Sequence, residues 1–114
     1  MSDLAIGAIQ DAMTGLAARQ RAIASNIANA ETPGYLAARV DFEDSLRNAV
    51  ASGSPSSFAL STTRSNEATG VNGNNVNVDE ETVSLTDTTL RFQTMTEAMN
   101  NEFHILHDSI RRDL

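Results

Sequence analysis

Two histidines, His104 and His107, stand three residues apart near the end of the chain, with Glu102 and Asp108 beside them. On a helix, an i, i+3 pair can turn two imidazoles toward one metal ion. No third ligand follows at helical spacing on that face, so the pair reads as a solvated helix edge. A metal-dependent enzyme built on these histidines is the weakest reading open to the sequence. The run "NGNNVNVDEE" (72–81) alternates oxygen-bearing side chains in the manner of a calcium loop. It lacks the glycine at the sixth position and the glutamate spacing of an EF-hand, and a turn followed by a helix cap accounts for it better. Glu43 and Asp44, like Glu80 and Glu81, are sequence neighbours that point in different directions on a helix, so neither couple forms an acid–base pair. The chain has no cysteine, which removes disulfides, thiolate metal sites and a Cys nucleophile. Serines are plentiful, but with both histidines on one helical stretch no triad geometry is suggested. No cofactor, small-molecule substrate or catalytic activity is expected.

The elements that would carry these residues are helical. Of 114 residues 40% are hydrophobic but only 4% aromatic, and Ala, Leu, Ile and Met supply most of the apolar surface, which suits helices. The net charge of −7 repels phosphate and argues against nucleic acid or an anionic membrane surface as partner. The opening "MSDLAIGAIQDAM" has an acidic start and no long apolar core, unlike a cleaved signal peptide. No run approaches the ~18 apolar residues of a membrane helix. Composition alone suggests the cytoplasm.

Along residues 3–30, Ile6, Ile9, Met13, Leu16, Ile23 and Ile27 keep a 3–4 spacing, with Gln20 and Ala30 completing the register. A seam of period 3.5 marks a helix that packs against a helical partner. Ser2 or Asp3 would be its N-cap. Such a helix spans roughly 40 Å, about as long as a whole globule of this size, so the molecule should be elongated. A second long helix is expected over 79–114, with Phe92, Met95, Met99, Phe103, Leu106 and Ile110 on one face and Leu85 joining them. Asp79–Glu81 at its start and Arg111–Arg112 at its end complement the helix dipole, and Ser84 with Asp87 offers a second start through a capping box. Residues 31–50 read as a turn and a short amphipathic helix, "VDFEDSLRNAV", with Phe42, Leu46 and Val50 inward. Residues 51–78 read as a flexible Ser/Thr/Asn/Gly-rich loop. Its apolar islands, Phe58-Ala59-Leu60 and Val76/Val78, allow at most a short β-hairpin. The expected fold is thus one elongated, mainly α domain. Its two long terminal amphipathic helices form a coiled-coil-like pair, parallel or antiparallel, with each other or with neighbouring subunits.

The first helix ends in "SNIANAETPGY" (25–35). Pro33 cannot donate a main-chain hydrogen bond and disfavours helix at Thr32, while Pro-Gly at the centre of "TPGY" suits a type II turn with Gly34 at positive φ. Asn26 and Asn29 lie where their amides can satisfy carbonyls that the helix leaves open. On this reading alone the stretch is a well-made helix end with no function. Yet "GLAARQRAIASNIANAETPGY" resembles the N-terminal signature of the flagellar rod and hook family, and "VDFEDSL" (40–46), "NGNNVNVDEETVSLTDTTLRFQ" (72–93) and the short length resemble its proximal-rod type. Residues 47–71 fall outside the resemblance, and Leu36 stands where this family often has a basic residue.

The resemblance implies a non-enzymatic structural subunit of the basal-body rod, exported unfolded through the flagellar type III apparatus without a cleaved signal. That places it in the cell envelope, against the suggestion of composition. Implied partners are other rod proteins, the membrane-ring base junction, the export apparatus and further copies of the chain. Asn26, Asn29, Thr32, Pro33, Gly34 and Tyr35 would then form a structural corner, and the two apolar stripes an assembly seam. The competing reading is a small secreted helical hairpin that acts as a dimeric binding module.

Overall fold

The computed structural model describes residues 2–113, and the side chains of residues 3–112. Helix α1 (Ser2–Ala28) is followed by strand β1 (Ala38–Asp41), helix α2 (Glu43–Ala51), a 3-10 turn (Pro55–Ser57), strand β2 (Ser61–Arg64) and helix α3 (Val78–Asp113). The molecule is mainly helical with a small two-stranded antiparallel sheet in its middle. Its extents are 67 × 25 × 14 Å and its radius of gyration is 17.9 Å, well above the ~13 Å of a compact globule of about this length. No described helix is long and apolar enough to cross a membrane.

The long helices run antiparallel. Gln20 of α1 donates to Thr89 Oγ1 of α3 at 3.2 Å, and Asn26 donates to Glu81 at 3.1 Å, so α1 ascends as α3 descends. Between them Leu16, Ile23 and Met99 are buried, and Ile6, Ile9, Met13, Ile27, Phe92 and Met95 half-buried. Past Met99 the stripe of α3 continues, but α1 ceases to cover it: Phe103, Leu106 and Ile110 are 51%, 40% and 55% exposed. Helix α1 has 27 residues and α3 has 36.

Helix ends follow hydrogen bonding. The ladder of α1 tightens as Asn29 N–H reaches both Ser25 O and Asn26 O and Ala30 N–H turns to Ile27 O, so the helix stops at Ala28 rather than residue 30. Asp3 lies in the first turn of α1, not at its cap, and the side chain of Ser2 and residue Leu114 fall outside the described residues. Helix α3 starts at Val78 because Asn77 caps it, its Oδ1 accepting from Glu80 N–H at 3.2 Å. The alternative start at Ser84–Asp87 is helix interior.

The middle departs most from the sequence expectation. The helix foreseen from residue 40 begins at Glu43, because Ala38–Asp41 pairs as a strand with Ser61–Arg64 in the register Ala38↔Arg64 to Asp41↔Ser61. Its inward face also differs, with Ala49 buried and Val50 40% exposed. The partner strand is the polar "STTR", fully on the surface, and neither Phe58-Ala59-Leu60 nor Val76/Val78 forms a strand. Main-chain pairing supplies a surface edge strand with what it needs, whereas an apolar island marks burial. Of these islands Phe58 is half-buried, meeting the Phe42 ring edge-to-face at 6.3 Å and 76°.

The small core consists of Leu16, Val40 and Phe42, with Ala18, Ala22, Leu46, Phe58, Phe92 and Met95 packed around it. Phe42 lies flat on α1 at Gly15, where a Cβ would fall 2.4 Å from the ring. Ala is favoured over Gly in a helix by about 1 kcal/mol, but overpacking a ring that cannot retreat costs roughly 1–3 kcal/mol. Gly15→Ala is therefore expected to lower the free energy of unfolding in a urea titration. A neutral or stabilising result would show that Phe42 has room to move.

Candidate functional site

The segment after α1 folds into a corner held almost wholly by side-chain amides. Asn26, in the last turns of α1, is fully buried. Its Nδ2 donates to Ala38 O at 3.0 Å and to Glu81 Oε2 at 3.1 Å, while its Oδ1 accepts from Ala38 N–H at 2.8 Å and from the Tyr35 hydroxyl at 3.3 Å. All four hydrogen-bonding capacities of the amide are used. The alternation of an antiparallel ladder explains why Ala38 needs it. Ser65 N–H bonds Ala37 O at 2.8 Å, so the main-chain groups of Ala38 and Val40 face away from β2, toward α1. Asn26 takes both groups of Ala38, and Arg19 Nη2 takes Val40 O at 2.7 Å.

Beyond α1 the chain turns through Thr32-Pro33-Gly34-Tyr35. Gly34 has φ of +74°, and Tyr35 N–H closes the turn on Thr32 O at 3.3 Å. Asn29 Nδ2 returns to Ser25 O at 2.8 Å, and its Oδ1 accepts from Thr32 Oγ1 at 3.1 Å. Tyr35 keeps its hydroxyl 3.1 Å from Ser25 Oγ, and the Arg64 guanidinium sits 5.3 Å above its ring. Pro33 is exposed, acting through its backbone alone.

A second segment clamps this corner from outside. Asn74 Nδ2 donates to both Asn29 O and Thr32 O at 2.8 Å, and Gly34 N–H reaches Asn72 O at 2.9 Å. Asn75 bridges the mouth of the sheet, its Oδ1 accepting from Ala37 N–H at 2.7 Å and its Nδ2 donating to Ser65 O at 3.2 Å. Glu81, also buried, receives Arg39 Nη1 at 2.7 Å as well as Asn26. The corner thus ties α1, both strands, the 72–75 loop and the start of α3 together.

Charge reinforces the neighbouring strand. Arg19 binds Glu43 with two hydrogen bonds of 2.7 and 2.8 Å and lies 4.7 Å over the Phe42 ring. The hydrogen bond from Arg19 pulls the Glu43 carboxyl down to about 2 from its ordinary 4.5, against a smaller upward push from burial. Asp11 behaves oppositely: burial raises its pKa, and its Oδ2 has no hydrogen-bond partner among the described residues. His104 and His107 are exposed on the projecting part of α3, and the described residues hold no group of three or more potential metal ligands.

The family model described as "Flagella basal body rod protein" matches residues 9–35, from within α1 through the turn. The flagellar basal body rod protein FlgB of Yersinia enterocolitica is 33% identical over 106 residues, covering 75% of this chain and 77% of that protein. FlgB of Aeromonas hydrophila is 31% identical over 119 residues, covering 88% of this chain and 87% of its own, and FlgB of Bacillus subtilis is 29% identical over 112 residues, covering 86% of each. The chain belongs to the FlgB family of flagellar basal body rod proteins.

In this FlgB-family chain the matched segment holds Asn26, Asn29, Thr32, Pro33, Gly34 and Tyr35, but their partners Asn74, Asn75 and Glu81 lie outside it. Those three partners were not singled out by reading the sequence. Glu81 reads as one of three acidic residues placed for the helix dipole, although its carboxylate is turned inward to Asn26 and Arg39. The asparagines were visible only as density in "NGNNVNV", which is a signal for turns and not for what the turns grip.

Asn26→Ala is expected to strip partners from the Ala38 N–H and C=O and from Glu81 at once. Each buried group left unpaired costs about 1–3 kcal/mol, enough together to unfold a small domain or nearly so. A loss of under 1 kcal/mol in chemical denaturation would refute this placement. For Glu43 the folded pKa lies below the unfolded one, so its contribution is complete above about pH 4.5 and fades as pH falls toward 2. Because its side chain is 47% exposed, solvent screening holds that contribution to about 1 kcal/mol or less. Arg19→Gln should flatten the stability profile between those pH values, and an unchanged acid limb would sink the assignment.

Proposed function

We propose that the chain is a structural subunit of the flagellar basal-body rod, placed at its proximal part, that assembles through its terminal helices. One observation carries the assembly mode. The stripe that α3 buries against α1 through Phe92, Met95 and Met99 runs on, about half exposed, through Phe103, Leu106 and Ile110. Burying these three, each already partly covered, contributes about 1–2 kcal/mol apiece. The ~4–15 kcal/mol cost of fixing one free chain to another is comparable to or larger than that sum. The stripe therefore yields cohesion when each chain touches several neighbours at once, as in a rod wall, and little in an isolated pair.

The corner sets the angle at which the chain leaves α1 and so the position of α2 and the sheet against the helix pair. On this reading Asn26, Asn29, Thr32, Pro33, Gly34 and Tyr35 fix subunit geometry, and Ile6, Ile9, Met13, Leu16, Ile23 and Ile27 form the α1 side of the seam. The other rod proteins and further copies of the chain are its partners in the wall, with the membrane-ring base junction at one end. Delivery is in the unfolded state through the flagellar export apparatus. The family membership supports a non-enzymatic role.

Pro33→Ala with Gly34→Ala is expected to abolish rod assembly and swimming while the protein is still made; unchanged motility would overturn the corner's role. Phe103→Asp with Leu106→Asp should melt like the parent as a monomer but fail to associate in light scattering over a concentration series. A stable dimer of full helicity at every concentration of the parent chain would favour the binding-module reading instead.

A further inference from the structure

We propose that Asn72–Gly73 is a site of spontaneous succinimide formation that the folded corner holds shut, and that the isoaspartate formed there in an unfolded chain unlocks the corner. Asn72 is followed by Gly73, and no other asparagine of the chain precedes a glycine. The reaction needs only these two residues and water. The Gly73 main-chain nitrogen attacks Asn72 Cγ, the new N–Cγ bond replaces Cγ–Nδ2, and the side-chain nitrogen leaves as ammonia with the Gly73 amide proton. Water then opens the imide at either carbonyl, giving aspartate or an isoaspartate whose main chain runs through the former side chain. Glycine, having no Cβ, leaves the approach unhindered and the local backbone free.

The fold opposes each movement that this attack requires. Gly73 N–H donates to Gly70 O at 3.0 Å, which disfavours loss of its proton. Asn72 Oδ1 is held by Asn74 N–H at 3.2 Å and Asn72 O by Gly34 N–H at 2.9 Å, so neither end of Asn72 turns freely. Gly73, at φ of +79°, lies so close to Gly34 that an added Cβ would be 3.4 Å from its Cα. Reaction in the native protein must therefore wait for local opening, whose free energy sets the protection.

The two products differ in what they do. The side chain of Asn72 serves the fold through Oδ1 as an acceptor, which an aspartate retains. Isoaspartate inserts an extra main-chain carbon beside the residues that hold Asn29 O, Thr32 O and Gly34 N–H. It shifts Asn72 O and Asn74 relative to the turn and breaks the clamp. An unfolded chain is exposed to this reaction, and a folded one is sheltered from it. Neither step depends on the rod reading.

The test is to incubate the full chain in mildly alkaline buffer, with and without denaturing urea, and to map its peptides by chromatography and mass spectrometry. In urea, conversion at Asn72 should lead all other asparagines; in native buffer it should slow by about tenfold or more. No preferential conversion in urea would remove the site, and equal rates in both buffers would remove the protection. Refolded isoaspartyl chain should then melt below Asn72→Asp, which carries the new charge on an unaltered backbone. If the two melt alike, charge and not backbone is responsible and the unlocking is refuted.

Discussion

A strand laid against the end of a helix leaves main-chain groups facing a side where no ladder can continue. Here one buried amide answers that constraint. Asn26 meets the N–H and C=O of Ala38 as a neighbouring strand would, at 2.8 and 3.0 Å, and spends its remaining donor on Glu81 and its remaining lone pair on Tyr35. The position of the sheet, the entry of α3 and the direction of the turn all follow from where this side chain sits. A residue lacking either its donor pair or its acceptor cannot satisfy both sides of Ala38, and burial makes any shortfall expensive.

The centre of the molecule is therefore directional as well as apolar. Beside the cluster of Leu16, Val40 and Phe42, the described residues bury the polar side chains of Asn26, Asn74, Asn75, Glu81, Ser65 and Thr88. Apolar contacts tolerate small rotations at little cost, but hydrogen bonds weaken steeply as they bend. A corner built from amides thus holds an angle more strictly than the same area of aliphatic packing would. The net contribution to stability of each such bond is modest, so definition of shape is gained without a large increase in overall stability.

How much of this was legible in the sequence differs by element for physical reasons. The long helices announce themselves because a seam of period near 3.5 is a repeated, local signal, and so does the turn, since Pro33 and Gly34 restrict their own dihedrals. Strand Ser61–Arg64 has no such signature: its side chains are all exposed, and its pairing is decided by where Ala38–Asp41 is placed by α1. The corner residues were readable as a helix end, but not the grip of Asn74 on Asn29 and Thr32 across more than forty positions. Polar side chains carry no periodicity that names their partners. Likewise Phe103, Leu106 and Ile110 match the periodicity of Met95 and Met99 in sequence, yet they are partly exposed where Met99 is buried.

The two ends of the helix pair consequently do different work. At the α1 C-terminal end the side chains of Asn26, Asn29, Asn74 and Asn75 hold main-chain groups of the turn and of Ala37 and Ala38. At the other end α3 presents Phe103, Leu106 and Ile110, each partly exposed. On the proposed rod reading, an end set by hydrogen bonds, joined through a continuous helix to one with partly exposed apolar side chains, would pass an orientation from the corner to the contact. Beside a loosely defined turn the same stripe would let neighbouring copies associate at many angles. A regular wall requires one angle repeated, and on that reading the polar corner would limit the angles open to the apolar stripe.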